Sequence, residues 1–407
     1  MNREKNKKIQ AGTTPSPSLL ERRGVRLSQK TFPAYGVKAE IAAFQPQGGT
    51  AEYHIMLHGD GDAVRYEDQL INLHKAYGEL LSAGWPANPT PVMKRYFLSD
   101  AANQTEALEK ELERFPACAV SIVQQPPLDG SKIALWVYLV GGVEFKEKDG
   151  LSGFSRNGYH HYWTAGRSIA SGSPASQTRE LLEDYGKALA RRGCTIAENC
   201  VRTWFFVQNV DVNYAGMVKA RKENFMEQGL TEQTHYIAST GIEGRAGNPA
   251  AHVLLDAYAV GGIQKEQVNY LYALTHLNRT CEYGVTFERG VSMEYGDRKQ
   301  LYISGTASID NKGLVLHVGD VVAQTRRMWE NVGKLLEEGG AGFEDVAQMI
   351  VYLRDASDYP VVKKMFDEQF PDIPKQYVLA PVCRPAWLIE MECITLKENR
   401  EERFGNY

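Results

Sequence analysis

A glutamate on a closing strand, a thiol beside it and a set of arginines give this 407-residue chain its candidate chemistry. In Leu388-Ile389-Glu390-Met391-Glu392, strand alternation puts Glu390 on one face with Leu388 and Glu392, while Ile389, Met391 and Cys393 point the other way. Cys383 and Arg384 stand just upstream. A carboxyl near a guanidinium and a thiol is a candidate acid or base whose proton affinity its neighbours set. Arg289 and Gly290, and the run Ser304-Gly305-Thr306, belong to the same third of the chain, and Arg202, Tyr214 and Arg221 supply further functional groups from the middle third. His54 and His58 share a strand face without a third ligand, and six cysteines are scattered without CxxC spacing. Neither a zinc site nor a disulfide framework is indicated, so the chemistry is expected to need no metal and no cofactor, in a reducing cytoplasm.

The elements that must position these groups follow from pattern. Leu301 and Ile303 lie between the turn residues Gly296-Asp297 and Asn311-Lys312-Gly313, which predicts a front hairpin. From Val321 to Glu338 the apolar residues Val321, Met328, Val332, Leu335 and Leu336 recur at helical spacing, and Gly339-Gly340 ends the run. A strand at Met349 to Leu353, a helix from Tyr359 to Phe370 and two strands, Tyr377 to Val382 and Leu388 to Ile394, complete a ββαβαββ unit of α+β class. The unit occurs three times. With Gln324, Gln177 and Gln69 set side by side, Gly333, Gly186 and Gly78 fall at one offset and Leu336, Leu189 and Leu81 at another, while Gly340 and Gly193 share a third that Gly84 precedes by one residue. A glycine inside a helix costs about 1 kcal/mol against alanine, so the shared one predicts close packing at that point.

The expected organisation is a flexible basic tail (1–35), a scaffold repeat (36–145), a second repeat (146–265), a third and main functional repeat (266–397) and a polar tail (398–407). The first repeat ends in a hairpin of Val120 to Val123 with Asp129-Gly130 at its turn, then the strand Ile133 to Val140. A net charge of −4 gives no basic footprint for nucleic acid, and no apolar run reaches membrane-span length, so neither partner is expected.

Ile303-Ser304-Gly305, the Asp320 to Leu336 helix with Gln324 and Asn331, Val351-Tyr352-Leu353-Arg354-Asp355 and Ile389-Glu390-Met391-Glu392 resemble the reactive-intermediate deaminase (Rid, YjgF-like, endoribonuclease L-PSP-like) proteins. The resemblance implies a chorismate-mutase-like fold of the bacillus type, three tandem copies forming an intramolecular pseudo-trimer, and a monomer. Where those deaminases grip a substrate carboxylate with an Arg after a Pro, this chain reads Ile373-Pro374-Lys375-Gln376-Tyr377. A narrower likeness, to the chorismatases, rests on Arg202-Thr203-Trp204, Ser239-Thr240-Gly241-Ile242, Phe287-Glu288-Arg289-Gly290, Ser304-Gly305-Thr306-Ala307-Ser308-Ile309, Gly319-Asp320-Val321-Val322-Ala323-Gln324 and Val382-Cys383-Arg384 with Glu390. It implies cleavage of chorismate, a small dicarboxylate, to pyruvate and a hydroxybenzoate. Glu390 and Cys383 would be catalytic. Arg384, Arg289, Gly290, Arg202, Tyr214, Arg221, Ser304, Gly305 and Thr306 would bind the substrate. Gly290 paired with Cys383 resembles the members that make 3-hydroxybenzoate, while Glu288 in place of the family's Ser, and Glu243, leave a close relative of chorismate open as substrate. The alternatives are an enamine or imine deaminase and a non-catalytic small-molecule binding protein of the same family.

Overall fold

The computed structural model describes residues 24–59, 63–86 and 88–407. In the first third, β1 (Arg26–Phe32), β2 (Val37–Phe44), β3 (Glu52–Gly59), β4 (Pro89–Leu98), β5 (Ala119–Gln124) and β6 (Ile133–Gly141) form one sheet with α1 (Tyr66–Leu81) and α2 (Ala101–Leu112). The second third contributes β7 (Lys146–Lys148), β8 (Leu151–Arg156), β9 (Tyr159–Ser168), β10 (Cys200–Val207), β11 (Ala238–Glu243) and β12 (Val253–Gly261), with α3 (Pro174–Ala190), α4 (Ile196–Asn199) and α5 (Val210–Glu227). The last contributes β13 (Val268–Leu271), β14 (Gly290–Glu294), β15 (Arg298–Ala307), β16 (Val346–Leu353), β17 (Lys375–Leu379) and β18 (Ile389–Glu398), with α6 (Val321–Glu338) and α7 (Tyr359–Gln369). The strand orders are one topology: β1-β2-β3-β6-β4-β5, β7-β8-β9-β12-β10-β11 and β13-β14-β15-β18-β16-β17. The chain is therefore α+β, three Rid-like units in tandem.

The central strands β6 and β12 are buried along their whole length, and β18 over all but its last two residues. β6 and β12 read as nearly continuous apolar runs because both faces are covered, whereas β18 breaks the run with the buried Glu390 and Glu392. Helices cover one face. The other turns inward, where Tyr138 of the first unit, Trp163 and Tyr258 of the second and Tyr302 of the third share one apolar cluster. Trp163 and Tyr258 stack with centroids 4.3 Å apart, and Tyr258 lies 5.6 Å from Tyr302. The three units close on each other as a pseudo-trimer.

The three glutamines that align the repeats do the same work in each. Gln69 accepts from the backbone N–H of Lys132 at 2.7 Å, Gln177 from that of His252 at 2.8 Å and Gln324 from that of Leu388 at 2.9 Å. Each acceptor ties the first turn of a helix to the residue that precedes the central strand, so Gln324 sets where β18 begins.

Several expectations change. Arg26–Phe32, assigned above to the basic tail, pairs with β2 as an edge strand; its exposed, polar residues hide the signal. Residues 1–23 of that tail lie outside the described residues. β7 and β13 are likewise short edge strands, so the unit is βββαβαββ. β5 runs parallel to β4 and does not pair with β6, so Val120 to Val123 is no hairpin arm. At the other end Tyr407 is buried, with its ring 4.6 Å from that of His161. The shared helix glycines are not demanded by packing: a Cβ at Gly78 would meet nothing within 4 Å, and at Gly186 and Gly333 only ordinary contacts at 3.6 and 3.4 Å.

Candidate active site

A cleft of about 240 Å³ opens between the second and third units. Tyr214 and Arg221 reach it from α5, Thr240 and Gly241 from β11, and Arg289, Gly305, Cys383, Arg384, Trp387 and Glu390 from the third unit. Glu390 is placed by β18 and is 6% exposed. Burial and the neighbouring Glu392 push its carboxyl up to about 8, against the pull of Arg289 and Arg202. It is therefore a carboxylic acid at neutral pH.

Gly305 lets it stand there. A Cβ on Gly305 would lie 2.1 Å from Glu390 Oε1, and the register of β15 against β18 shifts between Ile303 and Thr306 at this point. Gly241 serves Tyr214 in the same way, with Tyr214 Cε2 2.9 Å from where its Cβ would be. Arg289 is oriented by Asn278, donating to its backbone oxygen at 3.2 Å and to its side-chain oxygen at 3.1 Å. Arg221 donates to Thr286 Oγ1 at 3.3 Å and to Ser239 Oγ at 3.4 Å, and Arg384 lies over the Trp387 ring while donating to the Gly313 carbonyl at 3.3 Å. Burial, and next Glu390, push the Cys383 thiol up to about 12. A thiol so placed stays protonated and is no nucleophile at neutral pH.

Four of the expected binding residues do not line the cleft. Arg202 is 1% exposed and donates to Glu392 Oε2 at 2.8 Å and Thr240 Oγ1 at 2.6 Å. Its charge is spent on Glu392. Ser304 is buried behind the cleft, donating to the Glu288 carbonyl and accepting from the Ser239 N–H. Thr306 turns its hydroxyl to the Ser304 carbonyl. Gly290 is buried in the sheet, where a Cβ would sit 3.2 Å from Leu271 and Ile303 side chains. Glu288 accepts from the Tyr236 N–H, and Glu243 caps the start of α5 by accepting from the N–H groups of Asn209 and Val210, so neither acid lines the cleft. Sequence reasoning passed over Thr240, Trp387 and Asn278. Thr240 stands inside a quoted motif and Trp387 in the gap between two of them; Asn278 carries no signal at all.

A second cleft of about 590 Å³ lies between the first and third units, with Gln376, Lys375, Lys38, Glu40 and His58 in its walls. No arginine is among the described residues that line it. Among the described residues no cluster of His, Cys, Asp or Glu could hold a metal ion, and no helix is long and apolar enough to cross a membrane. His54 instead stacks on Tyr138 with centroids 4.6 Å apart and accepts from Trp136.

Residues 291–397 match the family described as Endoribonuclease L-PSP. The 3-aminoacrylate deaminase RutC of Acinetobacter baylyi is 35% identical over 96 residues, 23% of this chain and 76% of the relative. A RutC family protein of Pyrococcus abyssi is 35% identical over 100 residues, 24% of this chain and 79% of the relative. The crystal structure of a chorismatase superposes with a TM-score of 0.58 at 18% identity, over 75% of this chain and 93% of that one. That likeness is one of fold.

Proposed function

The chain belongs to the Endoribonuclease L-PSP (YjgF/Rid) family, and from that premise we propose that it cleaves the enolpyruvyl ether of chorismate, or a close relative, to pyruvate and a hydroxybenzoate. The observation that carries this reading is the buried Glu390, its carboxyl pushed up to about 8, in a cleft walled by Arg221, Arg289 and Arg384. Chorismate brings two carboxylates, and forked guanidinium donors are the groups that bind them. Its ether breaks once the vinyl carbon receives a proton. Glu390 is the acid that lends it, and charge then develops on the ether carbon. Pyruvate leaves with the ether oxygen as the ring C–O bond breaks, the neighbouring ring hydroxyl supplies the oxygen of the hydroxybenzoate, and the proton the ring loses on aromatising returns to Glu390, so the two products together hold the atoms of chorismate. Cys383 acts as a neutral wall of the ring site. Its pairing with Gly290, which lies in the sheet and not in the cleft wall, is the sequence pattern that favours 3-hydroxybenzoate as the product. The enzyme works as a cytoplasmic monomer without metal.

A deaminase reading draws on the RutC relatives. The Gln376 cleft, where the family's carboxylate-gripping Arg would stand, offers lysines and no described arginine. A pure binding protein would keep Glu390 ionised, against its burial.

Purified protein incubated with chorismate should release pyruvate, followed with a coupled dehydrogenase, and 3-hydroxybenzoate, read by chromatography. Since the acid form is the active one, turnover should fall as pH rises through about 8. Glu390→Gln should abolish pyruvate release and leave the melting temperature near that of the parent. Full turnover by that variant removes Glu390 from the role of acid; ammonia released from an enamine, with no pyruvate from chorismate, establishes the deaminase.

A further inference from the structure

Glu390 and Glu392 lie two residues apart on one face of β18, yet their surroundings differ. Glu392 is 3% exposed and receives Trp204 Nε1 at 2.8 Å, Arg202 Nη2 at 2.8 Å and the Thr240 hydroxyl at 2.5 Å. Arg95 of the first unit approaches its other side at 3.8 Å while donating to Asp256 at 2.8 Å. Every donor to Glu392 comes from outside its own unit. Glu390 has no hydrogen bond among the described residues and faces the cleft.

Hydrogen-bond donors favour the charged form of a carboxyl, and here they gather on Glu392 and not on Glu390. We propose that Glu392 is a positioning residue: an anion locked by Arg202, Trp204 and Thr240 that stands behind Glu390 and keeps the shared proton on it. This deepens, and rests on, the reading of Glu390 as the acid. Thr240 links the two sites, because its hydroxyl donates to Glu392 while its oxygen accepts from the backbone N–H of Gly305, the residue whose missing Cβ makes room for Glu390.

The charged and titratable groups facing Glu390 come from every element around it. Arg289 precedes β14, Arg202 lies on β10, and Tyr214 and Arg221 lie on α5. Cys383 and Arg384 precede β18, and Tyr352 is its partner across on β16. Arg289 and Arg202 favour the Glu390 anion; burial and Glu392 oppose it. Replacing Glu392 by glutamine removes one opponent and leaves Arg202 without its counter-charge, so both changes weaken the proton's hold on Glu390.

The test is infrared titration of the carboxyl C=O band, without substrate, in the parent, Glu390→Gln, Glu392→Gln and Glu392→Asp. The parent should hold a protonated carboxyl up to about pH 8 that Glu390→Gln lacks. In Glu392→Gln its midpoint should drop by about one unit, and Glu392→Asp, which keeps the charge, should restore it. The high-pH limb of pyruvate release should move with the band, where a merely structural role would lower turnover at every pH. Because Glu52 and Glu288 are also pushed up by burial, the band is read as the parent-minus-Glu390→Gln difference; a difference spectrum without it takes the proton off Glu390 and overturns the proposal, as does an unmoved midpoint in Glu392→Gln. The parent and Glu390→Gln spectra decide it even if Glu392→Gln does not fold. The band is read whether or not chorismate is the substrate, so failure of the proposed reaction and failure of this pairing are separate results.

Discussion

Gly305 fixes where the acid can stand. The methyl that alanine would add lies 2.1 Å from Glu390 Oε1 and 3.1 Å from Thr240 Cγ2, so the carboxyl must leave its place or the strand must shift. A displacement of about 1 Å at a reacting group costs on the order of 10²-fold in rate. Gly305→Ala should therefore lose about that factor in pyruvate release while remaining folded by circular dichroism; near-parental turnover would show that the Glu390 position seen here is not the working one. At this scale the sequence was informative about residue type and silent about direction. Glu390, Arg289, Arg384, Arg221 and Tyr214 line one cleft, whereas Arg202, an equally plausible carboxylate binder by type, turns to Glu392. Period-two alternation assigns a strand residue to a face. It says nothing of which unit covers that face, and Arg202 meets Glu392 only across the boundary between units.

Helix starts are tied to central strands by Gln69, Gln177 and Gln324, and this is the element-scale feature most legible in the sequence. A side chain that both donates and accepts must recur wherever the same two backbone groups need it. Gln324 donates to the Ala386 carbonyl at 2.9 Å and accepts from Leu388 N–H, pinning the loop that carries Cys383, Arg384 and Trp387 as well as the start of β18. Gln324→Ala leaves buried backbone groups unpaired, at about 1–3 kcal/mol. Urea unfolding should show that loss with an unchanged slope, and turnover should fall with it because Glu390 lies two residues beyond Leu388; a stability equal to the parent would deny the tie any role. What the pattern could not show were the edge strands β1, β7 and β13. They have one free side, so their residues need not be apolar, as the exposed middle of β1 illustrates. The recurring helix glycines misled for the converse reason: an offset can repeat by descent from one ancestral unit without a present contact that requires it.

The first unit is bound to the others by buried charges and by the last residue of the chain described. Arg298 of the third unit pairs with Glu52 of the first, and Arg95 of the first with Asp256 of the second, all essentially without exposure. Removing one partner of such a pair strands the other in the interior, so these contacts fix how the units fit together more than they add stability. Tyr407 joins all three units at once. Its hydroxyl lies 2.7 Å from that of Tyr138 in the first, its ring 4.6 Å from His161 in the second and 5.2 Å from Tyr295 in the third, with the Arg298 guanidinium 4.5 Å over its face. Its backbone N–H donates to Asp297 at 2.9 Å. A polar segment such as 398–407 reads as a tail because two aromatics, Phe404 and Tyr407, among charged residues are too weak a signal to mark burial. Replacing a buried aromatic by alanine costs about 3–5 kcal/mol, and Tyr407→Ala removes contacts to every unit. If the units are one cooperative body, fluorescence and circular dichroism should report a single urea transition in the parent, moved to lower urea by that amount in Tyr407→Ala. Two separated transitions in the variant would instead mean that Tyr407 is what couples units able to fold on their own, and a midpoint shifted by less than about 1 kcal/mol would show that the aromatic cluster closes without it.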